Sequence, residues 1–205
     1  MQYKLQHTFG KIDIYLFDQL LKGTYETCDK ILDAGCGDGR NLVYFLNNGC
    51  TVYGVDTNPD AIEAVKVLSK ILAPENPIEN FSITTAESLP FSDGCFDLVI
   101  SSAVLHFAES KEHFEKMLFE MWRVLKPGGY FFARLASDIG IESLVVPVGN
   151  GRFLLPDGSE RFLVNENMLL AYNHALNAHM YEPIKTTNVQ NIRCMTTWCL
   201  HKDSH

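Results

Sequence analysis

The sequence predicts an α/β protein built on a doubly wound, mostly parallel seven-stranded sheet, with an antiparallel edge pair and a β-hairpin inserted after the fifth strand. Three observations predict it. Short apolar runs alternate with segments of helical period between residues 30 and 136, the rhythm of right-handed βαβ crossovers. A glycine-rich turn stops the first apolar run and opens the next helical segment. Beyond residue 136 the rhythm fails, and β-prone runs joined by short connections take over.

Each element follows from local pattern. Residues 11 to 22 carry Ile12, Ile14, Tyr15, Leu16, Phe17, Leu20 and Leu21 before Gly23, an amphipathic helix with a glycine cap. KILDA (30–34) is the first strand, and Leu42, Val43, Phe45 and Leu46 mark a helix that Asn47, Asn48 and Gly49 end. TVYGV (51–55) is the second strand. Asn58 caps the following helix, Pro59 takes its first position, and Ile62, Val65, Leu68, Ile71 and Leu72 form its buried stripe. FSITT (81–85) and FDLVISS (96–102) are the third and fourth strands, the latter apolar enough to be covered on both faces. Ser110 caps a helix bearing Phe114, Met117, Leu118, Met121, Val124 and Leu125, which Pro127, Gly128 and Gly129 stop, and YFFARLA (130–136) is the fifth strand. A Pro-Asp-Gly-Ser turn inside 152–164 signals a hairpin, Asn165 caps a last helix with Met168, Leu169, Tyr172 and Leu176, and segments 182–190 and 192–202 pair antiparallel. The chain reads as one domain over 1–205: a helical cap (1–29), a ligand-binding core (30–136), the inserted hairpin or lid (137–165), and a helix with the terminal strand pair (166–205).

Composition narrows the function classes. Apolar residues make up 46% and charged residues 20%, ordinary for a soluble globular domain. No apolar run approaches the length of a membrane span, and Lys11 and Asp13 interrupt the amino-terminal stretch where a signal peptide needs an unbroken apolar segment, so the expected location is the cytoplasm with no membrane partner. A net charge of −8 without a basic cluster argues against nucleic acid. The six cysteines (28, 36, 50, 95, 194 and 199) form no CxxC pair and read as buried thiols, so no metal site is expected.

The chemistry concentrates in Asp33-Ala34-Gly35-Cys36-Gly37-Asp38-Gly39, between the first strand and its helix. Glycines there let a ligand approach the backbone, and the helix start behind them offers free N–H donors. A tight structural turn would show the same glycines. Asp56, 17 residues beyond Gly39 at the end of the second strand, supports a ligand, because a carboxylate there accepts both hydroxyls of a ribose; its alternative role is a helix cap, for which Asn58 is better placed. A nicotinamide dinucleotide site would need GxGxxG, and Arg40 stands where the last glycine should fall.

The chain resembles the class I S-adenosylmethionine-dependent methyltransferases, Rossmann-like in fold, and specifically the methyltransferase type 11 group. The resemblance rests on ILDAGCGDGRN (31–41), VYGVDTNPDAI (52–62), AESLPF (86–91), FDLVISSAVLHF (96–107) and RVLKPGGYFF (123–132), and covers residues 30–136. It implies S-adenosylmethionine as cofactor, with Gly35 and Gly37 beneath its methionine part and Asp33 helping to hold the ammonium. It also implies that Asp56 binds the ribose, Thr57 lies against the adenine, the Ala86 N–H and Glu87 read its edge, and Ser101 and Ser102 line the sulfonium side. The family often has an acid where this chain has Thr85, so the adenine amino group falls to the Thr85 hydroxyl or to Glu87.

Methyl transfer from a sulfonium asks the protein mainly for alignment. A general base is needed only where the acceptor must lose a proton. His106, just past the fourth strand, is the candidate base, or else a histidine that only shapes the pocket. The expected acceptor is a small molecule, contacted by residues such as Tyr15, Phe107, Arg152, Phe153, Arg161 and Phe162, any of which could equally be ordinary core. Two other classes stay open: a non-catalytic S-adenosylmethionine-binding regulator and a nicotinamide-dependent oxidoreductase.

Overall fold

The computed structural model describes residues 2–204. Its central sheet runs through β1 (Lys30–Ala34), β2 (Thr51–Asp56), β3 (Phe81–Ile83), β4 (Phe96–Ser102), β5 (Leu125–Ser137), β10 (Lys185–Val189) and β11 (Arg193–Lys202) in the order β10-β11-β5-β4-β1-β2-β3. A short strand, β9 (Ala178–Met180), pairs with β11 as an eighth member that the pattern reading does not anticipate. All pairs from β5 to β3 are parallel, and β11 lies antiparallel to both β5 and β10. A separate three-stranded sheet joins β6 (Val146–Gly149) to the hairpin β7 (Arg152–Leu154) and β8 (Glu160–Phe162).

Alternation along the buried strands builds a core on each face of the sheet. Leu32, Phe131 and Trp198 enter one layer, with Phe114 and Met121 of α5 (Lys111–Val124) and Leu169 of α6 (Glu166–Ala175). Their strand neighbours Ile31, Phe132 and Cys199 enter the opposite layer. There they meet Leu16 of α2 (Ile14–Leu21), Phe45 of α3 (Val43–Asn47), and Ile62 and Val65 of α4 (Pro59–Leu72). A further helix, α1 (Gln2–Phe9), precedes them.

Several expected local signals hold. Asn58 accepts from the Asp60 N–H with Pro59 at the first turn, Ser110 from His113, and Asn165 from Met168. Four expectations change. Asp13, by accepting from the Tyr15 N–H, starts α2 three residues later than the pattern suggested. Ile71 is exposed, its place in the buried stripe taken by Ser69, which accepts from Asn76. β3 stops at Ile83, which frees Thr84 and Thr85 to turn toward the strand ends. The fifth strand begins at Leu125, because Pro127 disfavours helical geometry at the residue before it and Leu125 pairs with Phe96 across a register shift.

The chain order places the site. β2 and β3 lie on one side of β1, and the chain then returns to set β4 on the other side. The connections leaving β1 and β4 therefore diverge, opening a crevice beyond their carboxyl ends.

Candidate active site

A cleft of about 370 Å³ occupies that crevice. Gly35, Asp56, Thr57, Thr85, Ala86 and Glu87, gathered from the ends of three strands, all line it. The glycine turn is held from beneath by the Gly35 and Cys36 N–H groups, which donate to the Val55 carbonyl at 2.8 and 2.9 Å. At Gly35 (φ +90°) a Cβ would sit 2.2 Å from Val104 Cγ2, so only glycine fits; at Gly37 (φ +53°) it would enter open space. Gly39 packs against α4, where a Cβ would lie 2.6 Å from Val65 Cγ2.

Asp56 fastens the turn to the second strand. One of its carboxylate oxygens accepts from the Gly37 N–H and the other from the Asn58 N–H, both at 2.9 Å. Each oxygen keeps capacity for a further bond. The free N–H donors expected from a helix start directly behind the glycines are not there, because α3 begins only at Val43 and spans five residues.

Asp33 lies behind the turn at the end of β1, 1% exposed. Neither of its oxygens has a well-formed hydrogen bond, and the same holds for the buried hydroxyl of Ser101. Burial pushes the Asp33 pKa up to about 8, against the pull of the Arg40 guanidinium and with the help of the nearby Asp56 charge. Buried polar atoms left so are exceptions, and a carboxylate in this state suits a cationic ligand group. Arg40 donates from Nη2 to the Ser102 Oγ at 3.1 Å. Neither Ser101 nor Ser102 lines the cleft; that side is formed by Ala103, Val104 and Phe107 from the loop after β4, and by His113 and Met117 of α5. His113 faces Glu87 across it, Nε2 to Oε2 at 3.6 Å. The spacing of 113 and 117 on a helix just past the β4 loop was the available signal for these two, and the strong core pattern of α5 hid it.

Ala103 is the hinge between this cleft and a second one. It adopts the left-handed region at φ +64° while its N–H donates to the Arg134 carbonyl at 2.7 Å, and it lines both cavities. The second cavity, about 410 Å³, contains His106, Arg134, Asp157, Arg161 and Arg193. His106 is buried in the 3-10 turn Leu105–Phe107, and burial, aided by the Arg161 charge, lowers its pKa to about 4. Its Nδ1 accepts from the Ala136 N–H at 3.2 Å, which puts the ring proton on Nε2. In this arrangement the neutral ring is a donor, its one lone pair already engaged.

The other expected acceptor contacts separate. Arg161 lines the second cavity and stacks over Phe107 at 5.0 Å. Tyr15 hydrogen-bonds Thr187 at 2.5 Å and lies beneath Arg134. Phe162 is core, stacked on Phe114, and Arg152 pairs with Glu160 and donates to the Ala108 carbonyl. Among the described residues no group of three or more His, Cys, Asp or Glu side chains is placed to hold a metal ion, and no helix is long and apolar enough to cross a membrane.

Known proteins resemble this chain in sequence and fold. Residues 32–133 match the family described as "Methyltransferase domain". The chain is similar to an uncharacterized methyltransferase of Synechocystis sp., 37% identical over 102 residues, which are 50% of this chain and 44% of that protein. It is also similar to a thiol S-methyltransferase of Rattus norvegicus, 34% identical over 137 residues, covering 63% of this chain and 53% of the relative. It thus spans about half the length of these curated relatives. A solved structure described as an S-adenosylmethionine-dependent methyltransferase of Methanosarcina mazei superposes with a TM-score of 0.72 at 21% identity, covering 91% of this chain and 98% of that one. The chain belongs to the class I S-adenosylmethionine-dependent methyltransferases, in the type 11 group, and its cofactor is S-adenosylmethionine.

Proposed function

We propose that the protein transfers a methyl group from S-adenosylmethionine to a small-molecule acceptor by in-line displacement. One observation carries this reading: a single cleft gathers the glycine turn after β1, the carboxylate ending β2 and the Thr84–Glu87 corner after β3. When bound, the cofactor supplies an activated methyl, whose bond to sulfur breaks with the electron pair leaving on sulfur as the acceptor's lone pair forms the new bond. The chain's own residues align and shield. Asp56 holds the ribose hydroxyls, the Thr85–Glu87 corner reads the adenine, and Asp33 balances the ammonium through the glycine turn. The hairpin residues Leu155, Asp157, Ser159 and Arg161 wall the second cavity, so the acceptor enters there and meets the methyl at Ala103. His106 orients the acceptor by donation from Nε2, and an acceptor proton leaves to solvent.

The test is incubation with methyl-labelled S-adenosylmethionine and a panel of small acceptors. The expected result is label in an acceptor with equimolar S-adenosylhomocysteine. Cofactor binding without transfer across the panel would favour a regulator, and NADH binding without S-adenosylhomocysteine binding would favour an oxidoreductase.

A further inference from the structure

We propose that the second cavity is an anion-anchoring subsite that selects acceptors carrying a carboxylate on a small apolar body. The inference rests on the reading of the neighbouring cleft as the methyl donor's site. The chain is acidic overall, net −8, yet three of its six arginines (40, 123, 134, 152, 161 and 193) converge on this one cavity. They come from three separate elements, β5, β8 and β11, so no local sequence pattern brings them together.

Their positions leave donors to spare. Arg134 is fixed by the buried Asp13, which accepts from Nη1 at 2.6 Å, and by the Tyr15 ring 5.3 Å from its guanidinium carbon. Arg161 spends one terminal nitrogen on the Glu160 carbonyl at 2.8 Å. Arg193 stands at the mouth, 54% exposed, 3.9 Å from an Asp157 oxygen. Asp157 itself is committed to the hairpin turn, accepting from the Ser159 N–H and hydroxyl at 2.9 and 2.6 Å. Three guanidiniums thus face two carboxylates, Asp13 and Asp157, while His106 is uncharged, and a positive charge remains. A planar guanidinium fork matches a carboxylate in charge and geometry.

Apart from Ser159, the remaining wall is apolar: Ala103, Ala136, Leu155, Val189 and Met195. It accommodates a hydrocarbon or aromatic body next to the anchored group. Ion-paired oxygens are poor nucleophiles, so the anchored carboxylate is the handle, and the atom methylated lies at the Ala103 end, where the two cavities meet.

Benzoate, its neutral analogue benzamide and inorganic phosphate serve as probes, with binding followed by NMR on the full chain saturated with S-adenosylhomocysteine. Benzoate should bind at least tenfold more tightly than benzamide and than phosphate. The double variant Arg161→Gln/Arg193→Gln should lose that preference while its S-adenosylhomocysteine affinity stays within twofold of wild type. Benzamide binding as well as benzoate, an unchanged benzoate affinity in the variant, binding of phosphate alone, or no binding of any probe to the loaded protein would each overturn the assignment. Failure to load with S-adenosylhomocysteine would instead overturn the reading of the first cleft. Single variants Arg161→Lys and Arg193→Lys, which keep the charge, guard against a folding defect: partial retention of the preference is expected, and loss equal to the glutamine variants would show that charge is not what is read.

Discussion

The two cavities that meet at Ala103 are built from opposite charges. The cleft beyond β1 and β2 is bounded by Asp56 and Glu87, with the buried Asp33 behind its glycine turn. The cavity beneath the hairpin is bounded by Arg134, Arg161 and Arg193. A cofactor carrying a sulfonium and an ammonium suits the first, and an anionic acceptor suits the second. The difference also separates two ways of making a site: one is written into consecutive strand ends, the other is assembled by folding distant segments over the sheet.

The sharpest way to break the comparison is at the glycine turn. Gly37→Val places a branched side chain at φ +53° in the turn whose Gly35 lines the cleft, at a position where nothing lies within 4 Å of a Cβ. Binding of S-adenosylhomocysteine should fall by more than a hundredfold, while benzoate binding in the second cavity persists. Circular dichroism establishes that the variant is folded, and calorimetry reads the affinity.

Asp56→Ala should weaken S-adenosylhomocysteine at least tenfold, since a hydrogen bond to a charged group contributes on the order of 1.5–3 kcal/mol. The same substitution frees the Gly37 and Asn58 N–H groups, so a modest fall in Tm accompanies it. Wild-type affinity in this variant would remove the ribose role.

These first two predictions target what was legible in the sequence. β1 and β4 have the same bounds in the structure as in the pattern reading, because strands buried on both faces give unbroken apolar runs that stop at turns. Gly35 and Asp56 were legible because they stand where the first two strands end, and Thr57, Thr85, Ala86 and Glu87 were legible through the family resemblance. β6 was not, since all four of its residues are exposed and Pro147 and Gly149 read as turn residues. β9 is a three-residue strand formed only by pairing with β11. The cationic cavity was illegible because its arginines are scattered along the chain, and the Nδ1 partner of His106, the Ala136 N–H, was illegible because it lies 30 residues away.

A smaller, pH-dependent effect sharpens the contrast. The Asp33 pKa stands at about 8 against an ordinary 3.8. Between those values the folded, ligand-free protein holds a proton that the unfolded chain has released, so this residue's effect on stability worsens as pH rises from about 4 to 8. Asp33→Asn should therefore raise the ligand-free Tm most at pH 8 and hardly at pH 4, while weakening S-adenosylhomocysteine several-fold. Thermal melts across that range check the sign.

The smallest effect is expected at His106, where folding lowers the pKa from 6.5 to about 4. The unfolded chain gains a proton first, so stability due to this residue is full above pH 6.5 and is lost as pH falls toward 4. His106→Gln should flatten the acid limb of the Tm profile in that window. It should leave the pH dependence of kcat near neutrality unshifted, as expected of a donor that does not titrate there.

The most direct test of the account is a calorimetric titration of the full chain with S-adenosylhomocysteine, run beside NADH and repeated with Asp56→Ala. One saturable site for S-adenosylhomocysteine, no binding of NADH, and at least a tenfold loss in the variant are expected. A folded wild-type chain that takes NADH, or that binds S-adenosylhomocysteine no differently once Asp56 is removed, would contradict the account.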